Sequence, residues 1–340
     1  MNITNVKISV CIPVYGVEKY IERCARSLFE QTMTDGIEFI FVNDCTKDKS
    51  IEILEQVLSE YPQRKDQVKI IHHEKNGGLV AARNTGLKHA TGDYIIHCDS
   101  DDWVDLNMYE TMYNKAIETD ADMVYCDFYE SSENKDCLVT HAGTCNAEKL
   151  IKEMFYGITH SALWNKMFKR EIALRSDLYC PDHICMCEDL LRTVQMLLHC
   201  CTISYIAKPG YHYRCNYSSI SKSIMTADRL KNCIEIYDYF LAVLPAKFNV
   251  EKQLLLCRKL TTMMYIPEKM STREYRKLFN EINYENLQSF YPFIARLDRV
   301  FLHIAYFNYP FTIFVNKITF YLRYNFHKIN KLKKINKNSI

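Results

Sequence analysis

Short apolar segments alternate with stretches of helical periodicity through the first 130 residues. This alternation constrains the fold more than any other feature, because strand–helix–strand order is what a parallel sheet with helical crossovers requires. Residues 6–12 read as a strand that Pro13 ends, since proline cannot donate to the ladder. Val17, Tyr20, Ile21, Cys24 and Leu28 then recur at helical spacing, followed by a strand at 37–42, a helix at 51–58 and a strand at 68–71. Gly77-Gly78 opens a helix near Leu79, Thr91-Gly92 closes it, and a fourth strand covers 93–98. A further strand is expected at 123–128, then helices at 147–155 and 189–199 and short strands at 202–206 and 211–214. After Ser223 helical periodicity dominates. The expectation is an α/β domain over residues 1–223, a mostly parallel central sheet flanked by helices, with a helical region over 224–340.

In open α/β sheets ligands bind beyond the carboxyl ends of the strands. Three polar groups fall there: Tyr15, Asn43-Asp44 and Asp99-Ser100-Asp101. The run Asp99-Ser100-Asp101-Asp102-Trp103 crowds three carboxylates where a buried strand ends. Such crowding asks for a counter-charge, and hard oxygen ligands suit Mg²⁺ or Mn²⁺ with positions left for substrate phosphates. A solvated acidic loop before a helix starting near Leu106 is the other reading. An EF-hand loop is a poorer fit, because Val104 stands where that loop needs glycine. A tyrosine face, an aspartate acceptor and a metal together describe a nucleotide-diphosphate site, although Tyr15 could pack and Asp44 could form a turn beside Lys47-Asp48-Lys49. No Gly-x-Gly-x-x-Gly follows the first strand and no Gly-Lys-Ser/Thr occurs, which removes the dinucleotide-binding and P-loop readings.

Charge and cysteine usage narrow the setting. A net charge of +2 over 340 residues does not suit nucleic acid as the partner of the whole protein. No basic-then-apolar leader is read at the N-terminus, so the 15 cysteines are expected to be reduced in a cytosol. Cys180, Cys185, Cys187, Cys200 and Cys201 lack paired C-x₂-C spacing, against structural zinc. From Phe301 onward there are seven Lys or Arg and no acid, interleaved with aromatics. That mixture suits an anionic membrane surface approached from the cytoplasmic side, and Asn308, Pro310, Asn316 and Lys317 interrupt any spanning helix. A packed helical subdomain with a basic tip is the alternative.

A series of motifs in residues 7–105 resembles the inverting glycosyltransferases of family 2. They are Ser9-Val10-Cys11-Ile12-Pro13-Val14-Tyr15, Ser27-Leu28-Phe29-Glu30-Gln31-Thr32, and Glu38-Phe39-Ile40-Phe41-Val42-Asn43-Asp44. Asn76-Gly77-Gly78, Ala82-Arg83-Asn84-Thr85-Gly86, Gly92-Asp93-Tyr94-Ile95 and the acidic run continue the order. The resemblance implies a GT-A nucleotide-diphosphosugar transferase fold. It implies that Asp44 and Tyr15 hold the nucleobase, usually uracil, that Asp101 coordinates Mn²⁺ or Mg²⁺ under the diphosphate, and that Asp99 assists with metal or ribose. Pro13, Arg83 and Ser100 fall in the same donor-binding motifs. Cys45-Thr46-Lys47-Asp48 departs from the family's usual Gly-Ser-Thr-Asp, and cysteine adopts positive φ less readily than glycine, so a different turn is expected there.

The resemblance runs more thinly through Trp164-Asn165-Lys166-Met167-Phe168 to Cys187-Glu188-Asp189-Leu190-Leu191. There it implies that Asp189 is the general base of a single in-line displacement and that Glu188 orients the acceptor, while helix-dipole stabilisation is the plainer reading of two acids in a first turn. In Tyr211-His212-Tyr213-Arg214, His212 or Arg214 would meet the donor diphosphate, with a satisfied half-buried histidine the equal alternative for His212. The implied activity is transfer of a sugar from a UDP-linked donor to a hydroxyl of a glycan or lipid-linked glycan in surface polysaccharide synthesis. The rivals are a nucleotidyltransferase that forms nucleotide sugars, and a non-catalytic nucleotide-sugar binding partner.

Overall fold

Every residue of strand β1 (Ile8–Val14) is buried, so helices must cover both faces of the sheet it belongs to. The computed structural model describes residues 6–132, 135–215 and 227–264. Ile8, Val10, Ile12 and Val14 join one buried cluster with Ile21, Cys24, Ala25 and Leu28 of helix α1 (Ile21–Phe29), whose spacing forms a single apolar stripe. Strand β2 (Ile37–Asn43), helix α2 (Ser50–Ser59), strand β3 (Val68–His72) and helix α3 (Leu79–His89) follow. Helix α3 covers the opposite face, where a Cβ at Gly86 would stand 3.0 Å from the Cys11 Cβ. Only glycine permits that approach without displacing the strand.

Beyond β4 (Tyr94–His97) come β5 (Trp103–Val104), α4 (Met108–Thr119), β6 (Met123–Ser132), β7 (Lys135–Val139), α5 (Ala147–Tyr156), β8 (Lys166–Lys169), α6 (Arg170–Ala173), α7 (Glu188–Leu197) and β9 (Ile203–Arg214). The sheet runs β3-β2-β1-β4-β8-β6-β9-β5, with β7 paired to β6. Strands β3, β2, β1 and β4 are parallel, as are β6 and β9, whereas β8, β5 and β7 run antiparallel to their neighbours. The expected α/β architecture is therefore present, but its sheet is mixed rather than mostly parallel, with four parallel and four antiparallel pairings among the described strands.

Two local expectations are corrected. Pro13 does not end β1, because pairing with β4 stops at Cys11 and the missing N–H leaves no ladder bond unmade on that side. The two short strands expected near 202–206 and 211–214 are one strand, β9, whose register against β6 shifts on both sides of the Asp127–Pro209 pair and leaves Ala207, Lys208 and Gly210 unpaired as a bulge. Strand β8, four residues long within Trp164-Asn165-Lys166-Met167-Phe168, lies below the length at which alternation is readable.

Packing divides the chain into residues 1–224 and 225–340. The second unit contains α8 (Ala227–Val243) and α9 (Asn249–Met264), which pack on each other. Among the described residues no helix is long and apolar enough to cross a membrane. The basic aromatic tail from Phe301 lies outside the described residues.

Candidate active site

The carboxyl ends of β1, β2 and β4 deliver Tyr15, Asp44 and Asp99 to one edge of the sheet. Asp44 is 3% exposed, and its charge is met by donors rather than water. Oδ1 accepts from the Gly77 amide at 2.7 Å and faces His73 Nδ1 at 2.8 Å, and Oδ2 accepts from the Gly78 amide at 2.8 Å. Gly78 is the N-cap of α3 with φ of +87°, so Asp44 sits where a helix N-terminus favours an anion. The other ring nitrogen of His73 lies 2.8 Å from Thr85 Oγ1 on α3. His73 carries no motif of its own in the sequence; its place three residues before Asn76-Gly77-Gly78 is the available signal.

Asp48 staples the loops after β1 and β2. It accepts from the Glu18 amide at 2.9 Å, from Thr46 Oγ1 at 2.7 Å and from Ser50 Oγ at 2.6 Å. Burial would raise this carboxyl, but the bonds from Ser50, Thr46 and Glu18 prevail and hold it below the ordinary range. Gly16 N donates to Thr46 Oγ1 at 2.9 Å, completing the staple beside Tyr15, which is 53% exposed and free to present its ring. Cys45 adopts φ of +58°, the left-handed conformation that glycine takes more readily.

Arg83 organises the acidic centre. It is 1% exposed, and Nη2 donates to Asp99 Oδ1 at 2.9 Å while Nη1 donates to Asp189 Oδ1 at 2.6 Å and Glu188 Oε1 at 3.3 Å. Burial disfavours its charge, yet Asp189, Asp99 and Glu188 together raise it above the ordinary value, so it stays a guanidinium. Beneath it the His97 ring is held neutral by burial, with the charges of Arg83 and Arg192 adding to the effect. Cys187, the N-cap of α7, has φ of +61° and turns Glu188 and Asp189 into the first helical turn. Burial, reinforced by Asp189 and opposed by Arg83, lifts the Glu188 carboxyl to about 7.

The remaining carboxylates after β4 have distinct surroundings. Asp102 is buried, receives the Tyr211 hydroxyl at 2.7 Å and the Arg214 amide at 2.7 Å, and is still raised well above the usual range by burial and by Asp101 and Asp99. Tyr211 in turn accepts from the Asp99 amide at 3.0 Å and stacks on Trp164 at 4.3 Å, which anchors the acidic loop to β9. Asp101 pairs with no cation among the described residues. Burial, with Asp99 adding to it, raises its carboxyl to about 6. A desolvated carboxylate beside a second one, with no cation in contact, is a donor set that fits a divalent ion completed by substrate phosphates. Among the described residues no three His, Cys, Asp or Glu side chains form a metal site by themselves.

Several residues expected at the donor are turned to other contacts. Ser100 Oγ donates to the Pro13 carbonyl at 2.6 Å, tying the acidic loop to β1. Arg83 spends its terminal nitrogens on protein carboxylates. His212 is sandwiched between Trp103 at 5.0 Å and Tyr129 at 4.8 Å, with Nε2 3.0 Å from Asp105 Oδ1 and Nδ1 3.2 Å from Ser131 Oγ, so both its nitrogens are engaged. Arg214 lies over the Tyr20 ring at 3.6 Å, and its buried Nη1 has no hydrogen-bond partner among the described residues. Lys166 also escaped the sequence reading as a site element: its buried ammonium donates to the His160 and Ala162 carbonyls and to Asn165 Oδ1, each at 2.8 Å, and so shapes the loop before β8.

Residues 9–175 match the family described as Glycosyl transferase family 2. EpsJ of Bacillus subtilis (strain 168), an uncharacterized glycosyltransferase, is 33% identical over 222 residues, which span 63% of this chain and 63% of EpsJ. The aligned stretch is thus less than two thirds of that relative's own length. Residues 1–349 of S. aureus TarS, solved in complex with UDP-GlcNAc, superpose with a TM-score of 0.64 at 21% identity, covering 91% of this chain and 89% of that one. The mannosyltransferase PcManGT from Pyrobaculum calidifontis, solved with GDP-Man and Mn²⁺, gives 0.52 at 13% identity, covering 89% and 87%. These likenesses show the GT-A fold.

Proposed function

The chain belongs to glycosyltransferase family 2 through the domain at residues 9–175, and on that premise we propose that it moves a sugar from a UDP-linked donor to a hydroxyl of a glycan or lipid-linked glycan in surface polysaccharide synthesis, with inversion. The observation that carries this reading is the ion cluster of Arg83, which holds Asp99 from the end of β4 beside Glu188 and Asp189 from the first turn of α7. In a single displacement the acceptor oxygen bonds to the anomeric carbon and the bond from that carbon to the diphosphate oxygen breaks. Its electron pair leaves with the diphosphate, and the acceptor's proton passes to one carboxylate. Asp189 is that base: Arg83 fixes its Oδ1 and so aims the other oxygen. Glu188, protonated up to about pH 7, donates a hydrogen bond to the acceptor.

Asp44 accepts from the nucleobase and Tyr15 stacks on it, while Arg214 meets the diphosphate. Asp101 and Asp99 are the ligands for Mn²⁺ or Mg²⁺, which when bound neutralises charge on the departing diphosphate. The UDP-GlcNAc of the TarS complex and the Mn²⁺ of the PcManGT complex support this assignment by analogy of fold. Hydrolysis of a panel of nucleotide sugars, with Mn²⁺ and with chelator, tests the reading. A UDP-sugar is expected to be consumed only with metal, and failure of any nucleotide sugar to bind or hydrolyse overturns it.

Residues 1–223 constitute the catalytic domain, and residues 224–340 bring it to the cytoplasmic face of an anionic membrane through the tail. Substituting Lys331, Lys333, Lys334 and Lys337 with Gln is expected to abolish salt-sensitive co-sedimentation with anionic liposomes. Unchanged sedimentation would return the tail to a packing role.

A further inference from the structure

Asp44 is a carboxylate with roughly four acceptor positions, and its contacts account for three of them. Both positions on Oδ1 are taken, by the Gly77 amide at 2.7 Å and by His73 Nδ1 at 2.8 Å; one on Oδ2 is taken by the Gly78 amide at 2.8 Å. One acceptor position remains, on Oδ2. A single ionised acceptor suits a base that offers one ring N–H, as uracil does at its imide. It repels a base that offers a lone pair at the same place, as cytosine does, because two acceptors face each other and the carboxylate is left unpaired.

The arrangement depends on His73. Backbone amides hold Asp44 from the α3 side, and among the described residues the second position on Oδ1 is met by the His73 ring, one residue past the end of β3, which is locked by Thr85 Oγ1 at 2.8 Å from Nε2. With Nδ1 donating to Asp44, Nε2 accepts the Thr85 hydroxyl proton, so one tautomer satisfies the whole chain. Without the ring, Oδ1 loses its second donor, and the carboxylate, still clamped by the two amides, presents two open acceptor positions, one on each oxygen.

Resting on the nucleotide-sugar reading above, we propose that the chain Thr85–His73–Asp44 is the nucleobase selector of this protein, with His73 as the positioning residue that leaves Asp44 one acceptor and thereby favours UDP over CDP. Thr85 lies two residues from Arg83 on α3, so the helix that gathers the acids also sets the selector.

The test is calorimetric titration of the full chain with UDP and CDP in the presence of Mn²⁺. His73→Phe keeps a ring but removes the donor, and is expected to weaken UDP about tenfold while leaving CDP nearly unchanged, so the preference collapses. His73→Asn places an amide N–H near the position of Nδ1 and is expected to restore most of the preference. Thr85→Val is expected to erode it partially. A merely structural role would weaken both nucleotides in parallel in His73→Phe and would not be rescued by His73→Asn; that outcome overturns the proposal. Equal UDP preference in wild type and His73→Phe also overturns it. If wild type binds neither nucleotide, the nucleotide-sugar reading itself has failed, a result distinct from the other two.

Discussion

Arg83 on α3 and Asp189 in the first turn of α7 are joined by a 2.6 Å ion pair across 106 positions of sequence, with the guanidinium buried and a quarter of the carboxylate side chain exposed. On the proposed function, the exposed end is the one that meets the acceptor. A buried guanidinium that pairs with three carboxylates fixes acids from the end of β4 and from the first turn of α7 with one planar group, which the point charge of lysine cannot do.

Asp189→Asn should retain UDP binding and lose transfer, because the amide keeps the shape and the Arg83 contact but cannot take a proton. Calorimetry and a transfer assay on the same preparation separate the two effects. Transfer at near wild-type rate would place the base elsewhere.

Asp101→Asn should lower Mn²⁺-dependent donor hydrolysis by about 10² to 10³, the usual cost of removing one stabiliser of developing charge. The Mn²⁺ concentration needed for half-maximal rate should rise as well. Wild-type turnover that survives full chelation would remove the metal from the reaction.

Glu188 makes folding stability depend on pH. Its carboxyl ionises near 4.5 when unfolded but at about 7 in the fold, so between those values the folded state binds more protons than the unfolded state. Stability therefore falls as pH rises from about 4.5 to 7 and levels off above. Glu188→Gln should flatten that part of the profile, measured as urea midpoints from pH 5 to 8. Parallel profiles for wild type and variant would show that Glu188 ionises normally.

Cys45→Gly should raise stability by up to about 1 kcal/mol, because the left-handed conformation costs an L-residue roughly 1–2 kcal/mol, partly offset by the greater freedom of glycine in the unfolded chain. The Cys45 thiol reaches only the Glu74 carbonyl, at 3.9 Å, and a thiol is a weak donor, so its removal offsets little of that gain. Urea unfolding of the two proteins decides the sign.

The parallel half of the fold was legible because β1, β2 and β4 are buried nearly throughout, and burial on both faces writes itself as continuous apolar runs. The acidic cluster after β4 was legible for the same reason: its members are neighbours in sequence. The antiparallel half was less so. Strands of two and four residues, β5 and β8, carry too little alternation to read, and the bulge around Pro209 disguised β9 as two segments.

Residue types and local order alone determined which carboxylates stand at strand ends and which acids begin a helix. Tertiary structure decided what those groups face. Sequence spacing left His212 divided between diphosphate contact and satisfied burial; the fold sandwiches it between Trp103 and Tyr129 with both nitrogens engaged. Nothing local marks His73 as the partner of Asp44, or Arg83 as the partner of Glu188 and Asp189. A strand order or helix start is set by neighbours a few positions away. Charge pairing in a buried centre is set by which distant segments the sheet brings together, and by the cost of leaving any one charge there without a partner.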